Sequence, residues 1–395
     1  MQDRIIPWRE SGCPHCGSHE IESVLSVKDV PTQDGVLWGS AEAALASPVG
    51  NIDLVMCSSC GLVGNQAYEP EKVKFEKYDV ATDHSPAFQS FIQSLAHRLV
   101  STYGLRKKRI MEVGCGRAYF LRAICDEGAN QALGIDPSGT AVSRAEPCAS
   151  VKLINDYFSE EYLDNSFDLF VCRQVFDILP DQISFLKLVH RALSNQENAI
   201  AYFEVPNAAY TFGKGVVWNL VYEHRIWYFA ETLRALFQNQ GFEVVGEGEC
   251  WNGEYLGIEV RVAAEPFVPR SIRDFSSVTK CLQEFNTIYA STIEEWKARL
   301  SAFEKNYSRI ALWGAGARAI ALLTTIPDSV TLKAVVDINP SRHGLFLPLT
   351  SLQVSAPESL AELNPDLVLI SNPTYAAEIE AQAGELGLRC DFVTL

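Results

Sequence analysis

The 395-residue sequence predicts an α/β protein with two strand–glycine turn–helix units and a small metal-binding domain ahead of them. In the first unit, residues 108–121, a short apolar strand is followed by two alternate glycines and the start of a helix. The second unit, residues 309–319, repeats this arrangement. Before both units, Cys-x-x-Cys pairs begin at Cys13 and Cys57. These three observations give the predicted order of the domains.

Length, charge and cysteine content limit the classes of function. The chain is long enough for two or three domains. Its formal net charge of −16 argues against binding nucleic acid or an anionic membrane through broad electrostatics. No apolar run approaches the ~20 residues needed to span a bilayer, and the first residues, Met-Gln-Asp-Arg, lack a signal-peptide pattern. We therefore expect a cytoplasmic protein, in which the 11 cysteines hold metal or stay reduced.

Residues 1–75 are predicted to form a zinc-binding domain. Two short Cys-x-x-Cys loops can direct four thiolates to one point, and the expected ligands are Cys13, Cys16, Cys57 and Cys60. A closed four-sulfur site leaves no position for a reacting water, so its role would be structural. Two alternatives remain open here, reduced cysteines without metal and a redox pair. His15 could also replace one sulfur.

The first glycine turn favours a nucleotide-like ligand, because its exposed backbone N–H groups stand at the start of a helix. A dinucleotide fingerprint needs a small residue at the third glycine position, which is Tyr119 here, so nicotinamide binding is disfavoured at this turn. The following strand ends in Asp136, about 20 residues past the turn, where a carboxylate can bind a ribose diol.

These residues resemble the motifs of class I S-adenosylmethionine-dependent methyltransferases. Further segments, residues 155–158 and 167–172, match the part of that fold that usually contacts adenine and its fourth strand. The resemblance implies that residues 76–245 form a Rossmann-like methyltransferase core, with S-adenosylmethionine as cofactor. The cofactor-binding residues it implies are Glu112, Gly114, Gly116, Asp136, Asp156, Tyr157 and Arg173.

A connecting helical region, residues 246–308, is predicted to lead to a C-terminal Rossmann-like domain, residues 309–395. Its turn matches the pattern GxGxxA, and Asp337 ends the strand that follows. Only 79 residues remain after Gly316, enough for one mononucleotide half of the fold but not for both halves of a dinucleotide site. Whether this half domain binds a ligand or braces the core stays open at this point.

The whole order of domains resembles the sugar C-methyltransferases that act on nucleotide-linked 4-keto-deoxysugars. The segments that carry the resemblance are the second cysteine pair, Glu204-Val205-Pro206, Tyr222-Glu223-His224 and residues 371–379. It implies an enzyme of deoxysugar biosynthesis that moves a methyl group from S-adenosylmethionine to a sugar carbon. The partner it implies is a small-molecule substrate, a nucleotide-linked sugar, and the oligomeric state is not indicated.

Such chemistry needs a general base, because carbon becomes nucleophilic only after a proton beside a ketone is removed. His224 is the expected base, and the adjacent Glu223 could orient it or raise its basicity. Tyr222 and Tyr78 are the expected donors to the enolate oxygen. For contact with the substrate we expect Arg225, Asn207 and Arg318.

The sequence departs from this family at two catalytic places. The family usually has Tyr-His-Glu-His followed by two residues and Tyr-Phe, whereas three residues separate His224 from Tyr228 here. Alignment from the right therefore places Arg225 at the base position, where it could bind a phosphate or carboxylate instead. A second family histidine is replaced by Ile178. Because of these departures, a purely structural role for His224 remains an alternative to its role as base.

Two other reactions remain open from the sequence. One is O- or N-methylation of a related intermediate, which needs a weaker base because the acceptor atom already has a lone pair. The other is a non-methylating oxidoreductase or isomerase that uses the C-terminal glycine turn.

Overall fold

The computed structural model describes residues 7–33, 35–76, 78–79, 83–265, 275–327 and 330–395. The first four residues, Met-Gln-Asp-Arg, lie outside these ranges. Within the described residues, the strands form three sheets of four, seven and five strands. No helix in those ranges is both long and apolar enough to cross a membrane.

The helices and strands follow in chain order. The described helices are α1 (Trp8–Ser11), α2 (Ala41–Leu45), α3 (Pro86–Tyr103), α4 (Tyr119–Gly128), α5 (Gly139–Ser143), α6 (Gln182–Ser194), α7 (Ala230–Asn239), α8 (Ser276–Asn306), α9 (Ala317–Thr325), α10 (Leu360–Leu363) and α11 (Ala376–Glu385). The described strands are β1 (Ile21–Pro31), β2 (Val49–Cys57), β3 (Val63–Asn65), β4 (Arg109–Val113), β5 (Gln131–Ile135), β6 (Val151–Ile154), β7 (Leu169–Arg173), β8 (Ile200–Pro206), β9 (Ile226–Trp227), β10 (Phe242–Cys250), β11 (Tyr255–Val262), β12 (Ile310–Trp313), β13 (Leu332–Val336), β14 (Val354–Ser355), β15 (Leu367–Ile370) and β16 (Asp391–Thr394).

The N-terminal sheet is antiparallel in the order β1-β2-β3-β9. Successive side chains of β2 point to opposite faces of the sheet. Leu54 and Met56 therefore join the apolar cluster shared with α8, while Val55 joins the cluster of the core domain. Its last strand, β9, comes from the segment just after His224. The sheet therefore ties the cysteine pairs directly to the candidate base.

The core sheet has the order β10-β11-β8-β7-β4-β5-β6, with the last five strands parallel. Its central strands are apolar runs because helices cover both faces. Helices α3 and α4 pack on one face, and α6 and α7 pack on the other. This is the predicted Rossmann-like arrangement, in which ligands bind at the carboxyl ends of the parallel strands.

The core sheet continues beyond residue 245, where the sequence analysis ended it. Strand β10 runs on to Cys250, and β11 returns between β10 and β8 to complete an antiparallel edge. The second half of β10 alternates glutamate with small residues, because one of its faces is exposed. It therefore lacks the apolar pattern by which a strand is recognised in a sequence. The predicted connecting helical region therefore contains a core strand before the single long helix α8.

The C-terminal sheet is entirely parallel in the order β14-β13-β12-β15-β16, as expected for a Rossmann-like half domain. Its turn repeats the core turn in detail. The Asp337 carboxylate accepts the N–H groups of Ala315 and Asn339, just as Asp136 accepts those of Gly116 and Ser138.

The residues that follow the two glycine turns make hydrogen bonds across the domain boundary. Arg117, which follows the core turn, donates to Ser341 of the C-terminal domain at 2.9 Å. Arg318, which follows the second turn, donates to Glu254 of the core at 3.0 Å. The carboxyl edges of the two parallel sheets therefore lie close to each other.

Candidate active site

The core turn is a tight glycine turn at the end of β4. The N–H of Gly114 donates to the carbonyl of Ile135 at 2.8 Å, and Gly114 has a φ of +72°. A Cβ at this position would lie 2.1 Å from Cγ2 of Val175, in the loop after β7. Only glycine combines this conformation with this close approach. The turn and the loop after β7 are therefore held in direct contact.

Asp136 fixes the carboxyl end of β5. Its two oxygens accept the N–H groups of Gly116 and Ser138, both at 2.7 Å, and burial raises the pKa of this carboxyl above its ordinary value. The carboxylate thus stands against the glycine turn. This position fits the binding of a ribose diol, as the sequence predicts.

Glu112 and Arg173 lie in the neighbouring strands β4 and β7 beside the turn. Burial raises the pKa of Glu112 to about 8, although the positive charge of Arg173 acts in the opposite direction. Arg173 pairs with Glu204 at 2.9 Å and lies over the ring of Phe120. Oε2 of Glu112 and Nε of Arg173 are buried without a hydrogen-bond partner among the described residues. These two atoms fit the ammonium and carboxylate groups of an amino-acid ligand.

The loop after β6 brings Asp156 and Tyr157 to the same edge. The Asp156 carboxylate accepts a hydrogen bond from the hydroxyl of Tyr162 at 2.6 Å. The backbone N–H of Asp156 donates to the carbonyl of Asp136. Asp156 is therefore engaged in holding the loop. Tyr157 is 55% exposed, so its ring is available for stacking on a planar ligand.

The candidate base His224 is paired with Asp177. Nδ1 of His224 lies 2.5 Å from Oδ2 of Asp177, which is in the loop after β7. The negative charge of Asp177 and its hydrogen bond raise the pKa of His224, although burial alone would lower it. The imidazole is therefore a stronger base than burial alone would allow.

A second hydrogen-bonded pair, Glu223 with Tyr78, lies next to the pair of Asp177 and His224. Oε2 of Glu223 accepts the hydroxyl of Tyr78 at 2.6 Å, and Oε1 accepts the N–H of Gly35. The carbonyl of Tyr78 in turn accepts the hydroxyl of Ser138, two residues past Asp136. Tyr78 is thereby tied both to the cofactor side and to the residue beside the base. The arrangement combines a base, a phenol and a nucleotide-type turn.

Comparison with known proteins identifies the chemistry of the core. Residues 87–247 match the family model described as a methyltransferase domain. The protein is an S-adenosylmethionine-dependent methyltransferase. Residues 275–392 match a second model, described as a C-methyltransferase C-terminal domain. None of the curated proteins matches this chain.

Solved structures of methyltransferases align with less than half of this chain. An S-adenosylmethionine-dependent methyltransferase from Clostridium acetobutylicum is 12% identical, with a TM-score of 0.35 over 45% of this chain and 92% of that chain. Magnesium protoporphyrin IX methyltransferase from Synechocystis, with bound S-adenosylhomocysteine, is 14% identical, with a TM-score of 0.35 over 45% and 84%. An S-adenosylmethionine-dependent methyltransferase from Mesorhizobium loti is 18% identical, with a TM-score of 0.34 over 43% and 97%.

In this protein, Tyr222 and Glu223 contact other groups than the substrate oxygen and the His224 ring that we expected. The Tyr222 hydroxyl accepts the N–H of Glu69 at 2.7 Å, and its buried ring stacks on Tyr68. These contacts argue against Tyr222 as a donor to the substrate. Glu223 raises the pKa of His224 by a smaller electrostatic contribution, whereas the hydrogen bond to the imidazole comes from Asp177.

The three expected substrate-binding residues are engaged in protein contacts. Arg225 is buried, with Nη1 pointing to the carbonyl of Leu179 at 3.4 Å, so its position does not support an anion clamp. The Asn207 amide bonds to the carbonyl of Gly253 at 2.9 Å. Arg318 donates to Asn219, Asn372 and Glu254. Of the three, only Arg318 bridges the two domains.

Asp177 is a residue of the candidate site that sequence reasoning missed. It lies 47 residues before His224, within the segment in which we looked for a family histidine. One signal could have found it, since Asp177 closely follows a buried parallel strand, where ligand-binding residues of such folds gather.

The four predicted metal ligands converge. The sulfurs of Cys13, Cys16, Cys57 and Cys60 lie within 4.8 Å of one another, and two of the sulfur pairs are 3.6 Å apart. Tetrahedral zinc with Zn–S bonds of about 2.3 Å requires sulfurs about 3.8 Å apart, so the cluster is compatible with zinc. His15 lies outside this set, with its ring stacked on Tyr228.

Proposed function

We propose that this methyltransferase moves a methyl group to a carbon beside the ketone of a nucleotide-linked keto-deoxysugar. The observation that carries the proposal is the His224–Asp177 pair. Asp177 belongs to the loop after β7, which contacts the cofactor turn through Val175, and His224 directly follows Glu223 of the Tyr78–Glu223 pair. A carbon acceptor needs such a base, whereas oxygen and nitrogen acceptors need it less. The C-methyltransferase C-terminal domain also supports carbon as the acceptor.

The residues that would hold the cofactor stand around the core turn. Backbone N–H groups of the turn and the Asp136 carboxylate would bind the nucleoside, and the exposed ring of Tyr157 would stack on adenine. Glu112 and Arg173 would bind the amino-acid end through their unpartnered buried atoms. When bound, S-adenosylmethionine supplies an electrophilic methyl group that needs only in-line positioning.

His224 would take the proton from the substrate carbon. Its Nδ1 is engaged with Asp177, so the proton would go to Nε2. The electron pair of the broken C–H bond moves into the enolate, whose carbon then forms the new bond to the methyl group as the methyl–sulfur bond breaks. The proton remains on the imidazole until it is released to solvent.

Tyr78 would stabilise the enolate oxygen. In the structure its hydroxyl is held by Glu223, and rotation about the C–O bond would direct the hydrogen to a substrate oxygen. The Glu223 carboxylate also accepts the N–H of Gly35, and a sugar hydroxyl could replace the phenol as its second donor. The pair would therefore recognise both the ketone oxygen and a neighbouring hydroxyl group.

The nucleotide of the substrate would bind at the boundary between the core and the C-terminal domain. Three arginines, Arg117, Arg318 and Arg342, lie near this boundary in an otherwise acidic protein. Each is already paired with an acid, Asp79, Glu254 or Asp337, which would hold it in place. Such preorganised guanidinium groups suit a diphosphate.

We also propose that the four-cysteine cluster binds structural zinc. The ion would fasten the loop of the first cysteine pair to the end of β2 and the turn after it. Because this sheet also includes β9, the metal would support the segment that carries Glu223 and His224. It would take no part in the reaction, since four sulfurs complete its coordination.

Solvent exchange of the substrate proton tests the proposed base directly. The enzyme is mixed in D2O with S-adenosylhomocysteine and each of a panel of nucleotide-linked keto-deoxysugars, with an enzyme-free control. We expect faster deuterium uptake beside the ketone with the wild type than with His224→Asn. Thermal unfolding with S-adenosylhomocysteine at about 100 times its Kd should stabilise both proteins by ~2.7 kcal/mol. Equal exchange by the variant would remove His224 as base, and neither exchange nor methylation of any sugar would overturn the substrate class.

A further inference from the structure

The bond between Asp177 and His224 determines which ring nitrogen carries the hydrogen. A carboxylate can only accept, so Nδ1, 2.5 Å from Oδ2, must be the protonated nitrogen of the neutral ring. Nε2 makes no hydrogen bond to any residue that the structure describes, and the His224 side chain is 25% exposed. The basic nitrogen is thus the one left to receive a proton.

Asp177 is held firmly by its own surroundings. Its side chain is 1% exposed, and its backbone carbonyl accepts the N–H of Ile226, two residues past His224, at 3.1 Å. The preceding ring, Phe176, stacks on Tyr228 at 5.5 Å. The loop after β7 and the segment of the base are therefore joined by backbone, side-chain and ring contacts, which define the angle at which the carboxylate meets the imidazole.

Two carboxylates act electrostatically on His224, and they have different partners. Asp177 bonds the ring, whereas Glu223 bonds Tyr78. The Trp227 ring also contacts the imidazole, in a T-shaped arrangement with the ring centroids 6.1 Å apart. The titratable groups that face Asp177, besides His224, are Tyr68, Cys172 and Tyr228. Among the described groups around the imidazole, only Asp177 hydrogen-bonds to it.

We propose that Asp177 is a positioning residue that holds His224 in the tautomer whose Nε2 accepts the substrate proton. This inference rests on the proposed function, in which His224 is the base. After proton transfer, the same carboxylate stabilises the imidazolium ion that forms. A pair that served stability alone would gain little, because desolvation offsets much of the attraction between buried charges.

The kinetic test compares Asp177→Asn, Asp177→Glu and a matched control, Glu259→Gln. Glu259 is also a buried acid, but it pairs with Arg98 and Tyr103 on the side of the core sheet that α3 covers. We expect Asp177→Asn to lower kcat about 100-fold while binding S-adenosylhomocysteine normally. Asp177→Glu keeps a carboxylate, so its kcat should lie between those of Asp177→Asn and the wild type. Glu259→Gln should keep the wild-type kcat.

The pH profile separates positioning from stability. Asp177 raises the pKa of His224, so its loss should move the rising limb of the profile to lower pH. A structural role would lower the rate equally at every pH. The inference is overturned if Asp177→Asn keeps the limb of the wild type, or if Glu259→Gln loses as much kcat as Asp177→Asn.

Imidazole nitrogen NMR decides the tautomer without any substrate. The seven histidines are labelled with 15N, and the His224 signals are assigned by their loss in His224→Asn. We expect a neutral ring protonated at Nδ1 in the wild type and a mixture of tautomers in Asp177→Asn. A wild-type ring protonated at Nε2 would overturn the inference. If no sugar is methylated, the proposed function fails, but this spectrum still decides the role of Asp177.

Discussion

The carboxylate of Glu223 holds the hydroxyl of Tyr78, 145 residues away in the chain, while its immediate neighbour His224 is paired with Asp177. Two adjacent residues thus belong to two different pairs. One pair suits proton removal from carbon, and the other suits stabilisation of the resulting oxyanion. This division of roles gives each group its own test.

Replacing the phenol tests the oxyanion donor. We expect Tyr78→Phe to lower kcat by about 100-fold, because one lost donor to a developing oxyanion typically costs that much. The affinity for S-adenosylhomocysteine should stay unchanged, since the variant keeps the ring and the backbone bond to Ser138. Tyr222→Phe is the matched control and should keep most of the activity, because the Tyr222 hydroxyl bonds to the backbone. If both variants have the same steady-state kcat, Tyr78 is not the donor.

A substitution in the turn tests the cofactor site. Gly114→Ala would place its Cβ against Val175, whereas Gly104→Ala, at a similar positive φ, would meet no atom within 4 Å. Both changes cost about 1 kcal/mol in backbone strain. Only Gly114→Ala should weaken binding of S-adenosylhomocysteine, because its Cβ would displace the loop that carries Val175. We expect the affinity to fall by about tenfold or more. Calorimetric titration of both variants measures this, and equal affinities would place the cofactor elsewhere.

Removal of one cysteine ligand tests the zinc proposal. We expect Cys57→Ser to lose the metal, as measured by elemental analysis of the purified protein, and to unfold at a lower temperature because metal binding contributes to folding. Cys390→Ser is the control, since Cys390 lies in the C-terminal domain outside the cluster. Purified wild-type protein without bound zinc, and insensitive to chelators, would contradict the proposal.

Glu112 gives a pH dependence of stability with a definite sign. Its pKa rises from an ordinary 4.5 to about 8 in the folded protein, so its contribution to stability is complete below pH 4.5 and is lost as the pH rises towards 8. Glu112→Gln removes this loss. In urea unfolding between pH 5 and pH 8, the wild type should lose at least about 1 kcal/mol more than the variant. Parallel curves for the two proteins would show that Glu112 is ionised when folded.

The sequence predicts the cofactor side of the site because its residues lie in local patterns. Gly114 and Gly116 follow β4 directly, and Asp136 follows β5, so strand–turn–helix spacing suffices to place them. The parallel C-terminal sheet follows from the same spacing. The cysteine cluster was predicted from two short pairs.

The catalytic side depends on long-range packing that spacing does not reveal. Asp177 reaches His224 only because the loop after β7 bonds to β9 through Ile226. Tyr222 and Arg225 flank Glu223 and His224, the two proposed catalytic residues, yet both are buried in protein contacts. Strand β10 was cut short because its exposed face breaks the apolar pattern.

The most direct test of the proposed reaction is the position of the transferred methyl group. The enzyme is given S-adenosylmethionine labelled with 13C in the methyl group and a nucleotide-linked keto-deoxysugar that shows proton exchange. We expect the product to carry the label on a sugar carbon, with NMR correlations to the carbon beside the ketone, and to retain it after acid hydrolysis. A label bound to oxygen or nitrogen would contradict carbon methylation and leave a methyltransferase with a different acceptor.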